Sequence, residues 1–183
     1  MKKIFAIILS FAATVLLISS CEEENCPPNS LAYAVFALSD QYGNSLQFTS
    51  PVSVIGQIQA DVTVNDTLED GTIQEIIKAD SIINDTIINQ ESASEYFQLP
   101  LSYDNYTRFI IAYDETNFDT ITINHQNIPY FTNLDCGTMM FYNVTDVTYT
   151  RHVLDSLTTT NPNIDNNEKE NFKIYYTNFA VDE

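Results

Sequence analysis

Residues 31–38 have the sequence LAYAVFAL, in which nearly every side chain is apolar. Alternate residues of an extended chain point to opposite faces, so both faces of a strand formed here would be apolar. Such a strand is stable only when protein covers it on both sides. The segment therefore predicts a β-strand that is buried on both faces.

Further segments with the same period of two follow along the chain. They lie at residues 52–59, 96–99, 107–113, 119–123, 139–144 and 172–176. Turns rich in Asn and Asp separate them. The pattern predicts an all-β protein: an antiparallel β-sandwich, immunoglobulin-like or similar, with about seven to nine short strands and little helix. Gly56, in the second segment, is a candidate β-bulge.

Residues 72–91 fit this pattern less well. Ile73, Ile76 and Ile77 come close to the spacing of a helical stripe, and two Ile-Ile pairs follow them. β-Branched residues lose side-chain freedom in helices and are enriched in strands. We therefore expect an irregular strand pair or a hairpin insertion here rather than a helix.

The composition is strongly acidic. The chain has 183 residues, with 25 Asp and Glu against 7 Lys and Arg, and a formal net charge of −18. This excess of acids excludes most nucleic-acid binding, because binding a phosphate backbone requires Lys and Arg. The 44% hydrophobic and 12% aromatic content excludes an intrinsically disordered acidic protein. The length suits one domain with a substantial core.

The N-terminus has the features of a secretory signal peptide. Two lysines precede an apolar run at residues 4–18, which is shorter than the roughly 20 residues that a transmembrane helix needs. Residues 17–21, LISSC, resemble a bacterial lipobox, in which the thiol of the final Cys receives the lipid. An uncleaved N-terminal anchor with an incidental Cys is the alternative. The predicted organisation is a removed signal at residues 1–20, an acidic, Pro-containing tether at 21–30 and a single β-sandwich domain at 31–183.

Lipidation of Cys21 would anchor the mature chain to a membrane, since each buried CH₂ of a lipid chain contributes about 0.8 kcal/mol. Glu22, Glu23 and Glu24 follow directly, and such an acidic run resembles the surface-export signal of Bacteroidota lipoproteins. A solvated acidic tether is the alternative interpretation. The sequence thus predicts an outer-membrane lipoprotein of the cell envelope that faces either the periplasm or the cell surface.

Besides Cys21, the chain contains Cys26 and Cys136. In a chain exported to an oxidising compartment, an even pair favours a disulfide, which here would close a loop of about 110 residues. A zinc site would need more ligands nearby, and the two histidines are not spaced as a pair. A nucleophilic Cys136 with His125 or His152 as its base is the remaining alternative.

A short pattern, Asp followed by Ser or Thr and then an aliphatic residue, occurs five times. It resembles the O-glycosylation acceptor pattern of exported Bacteroidota proteins. The acceptor hydroxyls would be those of Thr67, Ser81, Thr86, Thr120 and Ser156. The alternative is structural, because Asp often ends a turn, and Ser or Thr with an aliphatic residue often begins a strand.

The sequence contains no Gly-rich phosphate loop, no Gly-x-Ser-x-Gly elbow and no His-Glu-x-x-His motif. His125 and His152 stand beside polar or charged residues, and we interpret both as surface turn residues. Residues 161–167 place oxygen-bearing side chains at alternate positions, as calcium loops do, but the loop lacks the Gly and the final Glu of such sites. A solvated Asn-rich loop is the better interpretation, so we predict no catalytic residue, cofactor or metal site.

The order of these features is similar to that of an uncharacterised family of Bacteroidota lipoproteins, a domain of unknown function. The shared features are the lipobox, Cys26 before the first strand, VSVIG at residues 52–56, LPL at 99–101, DTITI at 119–123, Cys136-Gly137 and FKIYY at 172–176. The resemblance implies an envelope location, the Cys26–Cys136 pairing and a neighbouring outer-membrane β-barrel as partner. It carries over no catalytic residues.

Together these features predict a membrane-anchored, non-enzymatic envelope lipoprotein that binds or scaffolds another envelope component. The alternative is a surface glycan-binding or glycan-processing lipoprotein. Such a protein would use exposed tyrosines as stacking platforms, the candidates being Tyr103, Tyr106, Tyr130, Tyr149 and Tyr175. In a β-sandwich the same residues also serve as core edges and cross-strand pairs.

Overall fold

The computed structural model describes residues 31–92, 94–131 and 137–177. Over these ranges the chain forms ten β-strands and no helix, which confirms the predicted all-β class. The strands are β1 (Tyr33–Asp40), β2 (Val52–Thr67), β3 (Ile73–Glu91), β4 (Tyr96–Pro100), β5 (Tyr106–Ala112), β6 (Phe118–Phe131), β7 (Thr138–Tyr149), β8 (Ser156–Thr159), β9 (Asn163–Ile164) and β10 (Glu170–Tyr176). Their number slightly exceeds the predicted seven to nine. β2 and β3 are long rather than short, with 16 and 19 residues.

The described strands form two sheets, as expected for a β-sandwich. One sheet has four strands in the order β4-β1-β10-β8, and the other has six in the order β3-β2-β5-β6-β7-β9. The β2–β3, β2–β5 and β5–β6 pairs are antiparallel, as are β1–β4 and β10–β8. β1 and β10, in contrast, pair in parallel. Parallel neighbours need a long connection, and here most of the domain lies between the two strands.

The core lies between the two sheets and centres on an aromatic cluster. Phe36 of β1 stacks on Phe172 of β10 with ring centroids 4.6 Å apart, and it meets Phe109 of β5 edge-on at 6.1 Å. All three residues are fully buried. Because the cluster joins the central strands of the four-stranded sheet to the six-stranded sheet, it holds the two layers together.

The segment LAYAVFAL forms most of β1. Phe36 and Leu38 are buried in the core, and Val35, on the opposite face of the strand, is also buried. Leu31, however, is 54% exposed and precedes the strand. The prediction of burial on both faces is therefore confirmed for the centre of β1 but wrong for the first residue of the segment.

Gly56 is not at a β-bulge, so that prediction was wrong. It pairs regularly with Asp85 of β3 and Phe109 of β5, whereas the nearest irregularity of β2 lies between Val54 and Ile55. A Cβ on Gly56 would stand only 2.9 Å from the Cδ1 of Ile87. The end of the Ile87 side chain thus occupies the space beside the Gly56 backbone and would have to shift for a larger residue.

Residues 72–91 form neither a helix nor a strand pair of their own. Ile73–Glu91 is one continuous strand, β3, and it pairs along its length with β2 as a long hairpin. The expected irregularity lies in the middle of this hairpin. Asp80 there has a φ of +53°, and the register of the two strands shifts between Ala60 and Val62.

Several predictions fall outside the described residues. They concern the signal and tether at residues 1–30 and the three cysteines, Cys21, Cys26 and Cys136. Apart from Phe131 and Gly137, the described residues group into one compact unit. In this part of the chain there is no helix long and apolar enough to span a membrane.

Candidate functional site

Strands β2 and β3 extend beyond the sheet as a two-stranded hairpin. They pair as far as Thr67 opposite Ile73, but β5 accompanies β2 only over Ser53–Gln57. In residues 58–83, which we call the arm, the two strands therefore have no third strand beside them within the described ranges. An isolated two-stranded hairpin is only marginally stable in water, so the arm depends on its attachment to the sandwich.

A tight turn closes the far end of the arm. The Leu68 N–H donates to the Thr72 carbonyl and the Gly71 N–H to the Leu68 carbonyl, both at 2.9 Å. Gly71 has a φ of +82°, which residues with a side chain rarely adopt. The Thr72 N–H donates to Asp70 Oδ1 at 2.9 Å, and this bond lowers the pKa of the Asp70 carboxyl. The turn is thus well defined and carries a negative charge at neutral pH.

The arm exposes large apolar side chains to solvent. Ile73, Ile77 and Ile82 are 66%, 70% and 61% exposed. Three further exposed apolar residues of the arm are Ile58, Leu68 and Ile83. Ile73 and Ile77 stand four residues apart on a regular stretch of strand, so they lie on the same face. Contiguous exposed apolar patches are typical of interaction surfaces, so the arm is the candidate binding surface.

The arm is also strongly acidic. Its 26 residues contain six acids and one base, Lys78, which gives a formal charge of −5. The acids are Asp61, Asp66, Glu69, Asp70, Glu75 and Asp80. Glu75 lies between Ile73 and Ile77 on the same face of β3. A molecule that covers this face must therefore match both apolar and anionic side chains.

Side-chain hydrogen bonds attach the foot of the arm to the sandwich. Arg108 Nη1 of β5 donates to Gln57 Oε1 of β2, and Gln57 Nε2 donates to Asn84 Oδ1 of β3, both at 3.0 Å. Nearby, the Tyr106 hydroxyl of β5 donates to Gln59 Oε1 at 3.4 Å. This row of bonds links β5, β2 and β3 at the foot of the arm.

The five predicted glycosylation acceptors are spread over three parts of the fold. Thr67 at the end of β2 and Thr86 in β3 are exposed. Ser81 in the arm is half-buried, and its hydroxyl donates to a carbonyl of its own strand at 3.1 Å. Thr120 and Ser156 are half-buried in β6 and β8. The most accessible of the five hydroxyls are therefore those of Thr67 and Thr86, on the β2–β3 hairpin.

His125 is buried in β6, so its predicted position in a surface turn was wrong. Its Nε2 lies 2.9 Å from Thr107 Oγ1, and its Nδ1 lies 2.9 Å from Asn127 Oδ1. Asn127 Nδ2 donates to the Tyr103 carbonyl at 2.6 Å, so its oxygen faces the ring. An amide oxygen only accepts, so Nδ1 carries the proton and Nε2 accepts from the Thr107 hydroxyl. Burial lowers the pKa of His125 below its ordinary value of 6.5, and the imidazole is neutral.

We expect the protein to lose stability in mild acid because of His125. Its pKa is lower in the folded state, so below pH 6.5 the unfolded chain binds a proton that the folded chain does not. The contribution is complete above about pH 6.5 and is lost as the pH falls, at up to about 1.4 kcal/mol per pH unit. Urea unfolding at about pH 7.5 and about pH 5.5 should show a smaller loss for His125→Gln than for wild type. The exposed His152→Gln is the control, and an undiminished loss in His125→Gln would contradict this assignment.

Asp119 begins one of the five Asp-Ser/Thr-aliphatic patterns, and it forms a buried structural site. It is 0% exposed, and its Oδ1 accepts from the Thr150 hydroxyl at 2.7 Å and from the His152 N–H at 2.8 Å. Its Oδ2 accepts from the N–H groups of Val153 and Leu154 at 2.8 and 2.7 Å. Burial raises the pKa of Asp119, but the hydrogen bonds together outweigh it, so the pKa is lowered. The carboxylate thus ties the loop after β7 to β6.

One signal for this site was present in the sequence. In the segment DTITI, the period of two places Asp119 on the same face as Ile121 and Ile123, which are both fully buried. An acid at an inward position of a strand must find hydrogen-bond donors. His152, in the loop that supplies some of these donors, is exposed as predicted, and its Nδ1 lies 3.3 Å from Asp119 Oδ1.

Residues 161–167, predicted as a solvated loop, contain the two-residue strand β9 with the buried Ile164, and the rest of the stretch is bonded internally. The N–H of Asn163 donates to Asn161 Oδ1 at 3.1 Å. The buried Asn171 donates through Nδ2 to the carbonyls of Asn161 and Asn163 at 3.2 and 2.9 Å, so these oxygens are already bound by protein. In the portion of the chain that the structure describes, no group of three or more His, Cys, Asp or Glu is placed to hold a metal ion.

A shallow groove of about 460 Å³ lies on the four-stranded sheet, over β1, β4 and β10. The polar and aromatic side chains that line it include Glu95, Tyr96, Gln98, Glu168, Glu170 and Lys173. Tyr96 is 53% exposed, and Lys173 Nζ lies 3.9 Å from Glu170 Oε2. Carboxylates beside an exposed aromatic ring are the groups that a glycan site would use.

The five tyrosines predicted as stacking platforms lie in different environments. Tyr103 is 74% exposed, whereas Tyr130 stacks on Phe141 of the neighbouring strand with ring centroids 4.9 Å apart. The half-buried ones are Tyr106, Tyr149 and Tyr175. The tyrosine that lines the groove is Tyr96, which is not one of the five predicted stacking residues.

The sequence matches a known protein family over residues 72–176, from the turn of the arm to the end of β10. The family is described as Family of unknown function (DUF6452). No curated protein and no solved structure matches the chain. The matched region includes the whole of β3 with its exposed isoleucines.

Proposed function

This chain belongs to the family of unknown function DUF6452, and we propose that it is a non-enzymatic binding or scaffolding module of the bacterial cell envelope. In this proposal the domain is held at a membrane by its N-terminal lipid and binds another envelope protein through the arm. The observation that carries the proposal is the exposure of Ile73, Ile77 and Ile82 on a hairpin that extends beyond the sandwich.

The arm adds nothing to the core. The third strand, β5, stops accompanying β2 at Gln57, so the sandwich would be complete with a hairpin that ended there. Extra strand length that exposes isoleucines and open edges increases the risk of aggregation. A partner that covers this surface accounts for its presence.

The N-terminal pattern supplies the anchor. Residues 1–20 are removed, Cys21 is lipidated, and the tether carries the domain at the outer membrane, facing the periplasm or the cell surface. Cys26 and Cys136 pair as a disulfide that ties the tether to the domain. O-glycosylation, where it occurs, uses the exposed hydroxyls of Thr67 and Thr86. A neighbouring outer-membrane β-barrel is the partner that the family resemblance suggests.

The buried titratable groups support a non-enzymatic role. Asp119 accepts four hydrogen bonds from its own chain, and both ring nitrogens of His125 have partners within the domain. A general acid or base must reach the proton that it transfers, and neither side chain is accessible to a substrate.

Photo-crosslinking in intact cells tests the role of the arm. A photoactivatable residue replaces Ile77 or, as the control, Tyr42, which is 81% exposed in the turn after β1. We expect a discrete crosslinked protein from position 77 and none from position 42. The double variant Ile73→Ser/Ile82→Ser should bind the purified partner at least about tenfold more weakly than wild type.

The same cells also test whether a lipid on Cys21 anchors the protein to the membrane. Cys21→Ala should abolish fatty-acid labelling and release the protein from the membrane fraction. Unchanged labelling would refute the lipid anchor. Equal crosslinking from positions 77 and 42, or a partner that binds the double variant as tightly as wild type, would refute the arm as the binding surface.

The groove on the four-stranded sheet favours a second candidate, the surface glycan-binding or glycan-processing protein. Tyr96 would stack on a sugar ring, and Glu95 and Gln98 would bind its hydroxyl groups. A glycan array probed with wild type and with Tyr96→Ala separates the two candidates. Binding that is lost in Tyr96→Ala supports the glycan role, and the absence of any bound glycan removes it.

A further inference from the structure

The arm has an open strand edge in addition to its exposed face. β3 is the last strand of the six-stranded sheet, and in the described chain no strand lies on its outer side. Half of the backbone N–H and C=O groups of such a strand point away from its neighbour. An edge of this kind is a template on which a partner can add a further strand.

One stretch of this edge is regular enough for strand addition. β3 pairs with β2 without interruption from Ile73 to Lys78. The left-handed φ of +53° at Asp80 then breaks the extended geometry. The straight run therefore covers residues 73–79, a length within the ordinary range for a strand.

The side chains of this run specify what an added strand must present. Ile73, Glu75 and Ile77 lie on one face, with the carboxylate between two isoleucines that are each more than half exposed. Neighbouring strands place side chains directly opposite one another, and opposite charges in such pairs stabilise. The complement of this face is an apolar residue, then a Lys or Arg two positions on, then another apolar residue.

Charge disfavours two other molecules that could cover the arm, namely a second copy of this chain and a lipid membrane. A second copy of this chain would bring a formal charge of −5 against another −5, and like charges directly opposite destabilise a sheet. Insertion into lipid would require desolvation of six carboxylates next to anionic headgroups. A protein strand with basic side chains avoids both the like-charge repulsion and the desolvation of carboxylates next to anionic headgroups.

We propose that the arm binds its partner by strand addition to the outer edge of β3 at residues 73–79. The added strand has the pattern apolar-x-Lys/Arg-x-apolar, with its basic side chain opposite Glu75. The pattern is symmetric, so it applies to a parallel or an antiparallel strand. This inference rests on the proposed function, because it takes the arm as the binding surface.

Two capped peptides, TVTKTVT and TVTETVT, test the proposal. They are titrated into the ¹⁵N-labelled mature lipidated chain in detergent micelles, and the amide shifts are followed. We expect shifts centred on residues 73–79 and on the facing part of β2, with TVTKTVT binding about three- to fivefold more tightly than TVTETVT. Glu75→Lys should reverse the preference, whereas Glu115→Lys, an exposed change on the sandwich, should leave it intact.

Several results would overturn strand addition. These are equal binding of the two peptides, shifts away from the arm, or an unchanged preference in Glu75→Lys. If the unlipidated Cys21→Ala variant forms concentration-dependent dimers that are lost on adding Ile77→Asp, the arm binds a second copy of the chain. If the Cys21→Ala variant binds phosphatidylethanolamine–phosphatidylglycerol vesicles, the arm binds lipid. A crosslink from position 77 without any preference between the two peptides would keep the proposed function and reject strand addition. Loss of both the crosslink and the peptide preference would reject both proposals.

Discussion

Replacement of Asp119 by Ala is expected to lower the free energy of unfolding by about 3–5 kcal/mol. The carboxylate is 0% exposed and accepts from the Thr150 hydroxyl and from three backbone N–H groups at residues 152–154. Ala would leave these donors without their acceptor, and each buried, unsatisfied donor costs about 1–3 kcal/mol. Relaxation of the loop and entry of water keep the total below the sum of these costs. Urea unfolding at neutral pH measures the loss.

Two further variants test whether the loss of stability in Asp119→Ala comes from the hydrogen bonds of the carboxylate. Asp119→Asn keeps the shape but turns an amide N–H₂ toward backbone donors, so it should recover only part of the stability. Asp146→Ala, at an exposed position of β7, should change the free energy of unfolding by no more than about 0.5 kcal/mol. A loss below about 1 kcal/mol for Asp119→Ala would show that the carboxylate does not hold the loop.

Asp119 also contributes acid sensitivity in a different pH range from His125. Its pKa is lowered in the folded state, so its contribution is present above the ordinary value of 3.8 and is lost as the pH falls through the folded-state value. The loss that His125 causes begins near pH 6.5. Two separate steps in stability are therefore expected on acidification, and the lower one should be reduced in Asp119→Asn.

Phe36→Ala is expected to cost about 3–5 kcal/mol, because it removes the central ring of the core. Phe36 is 0% exposed, stacks on Phe172 and meets Phe109 edge-on from the opposite sheet. The deletion loses the burial of the ring and leaves a cavity between rings that belong to two different sheets. Denaturant unfolding measures the effect, together with near-ultraviolet circular dichroism of the remaining aromatic side chains.

Phe118→Ala is the matched control for this core variant. It deletes the same side chain from a strand of the six-stranded sheet, but Phe118 is 50% exposed. Its cost should stay below about 1 kcal/mol, since little apolar surface is lost from the core. Similar costs for the two variants would mean that the contact of Phe36 with the opposite sheet does not dominate the core.

Isoleucine side chains are buried in the core, but most of those on the strands of the arm are exposed. In the core, apolar residues such as Ile121 and Ile123 are covered by the opposite sheet. On β3, Glu75 lies between the exposed Ile73 and Ile77, and charges on an edge strand limit pairing between copies of the same chain. The acids that limit pairing between copies of the arm are also the groups that would select a basic partner.

Much of the fold was predictable because strand signals are local. The period-two segments at residues 107–113, 119–123 and 172–176 became parts of β5, β6 and β10. Alternation of apolar side chains needs only the geometry of an extended chain, so a short window of sequence reveals it. The strand length of β3 was harder to predict, because its isoleucines do not alternate regularly with polar residues.

The errors concern residues whose environment comes from elsewhere in the chain. Gly56 lies in a regularly paired part of β2, with the end of the Ile87 side chain of the neighbouring strand beside it. His125 is buried, with a hydrogen-bond partner on β5 at a separation of 18 residues. No local pattern reports a contact of this kind, because strand pairing brings distant residues together.

The sequence by itself determined the all-β class, the positions of most strands and the strongly acidic surface, because composition and side-chain alternation are properties of short segments. Only the tertiary structure decided which isoleucines are covered and which acids are buried. Ile73, Ile77 and Ile82 are exposed because the arm extends past the point where β5 stops pairing with β2, and so lies beyond the sandwich. Asp119 is buried and bonded because a loop up to 35 residues away folds over it. Both outcomes depend on which strands and loops become neighbours, and that is set by the packing of the whole domain.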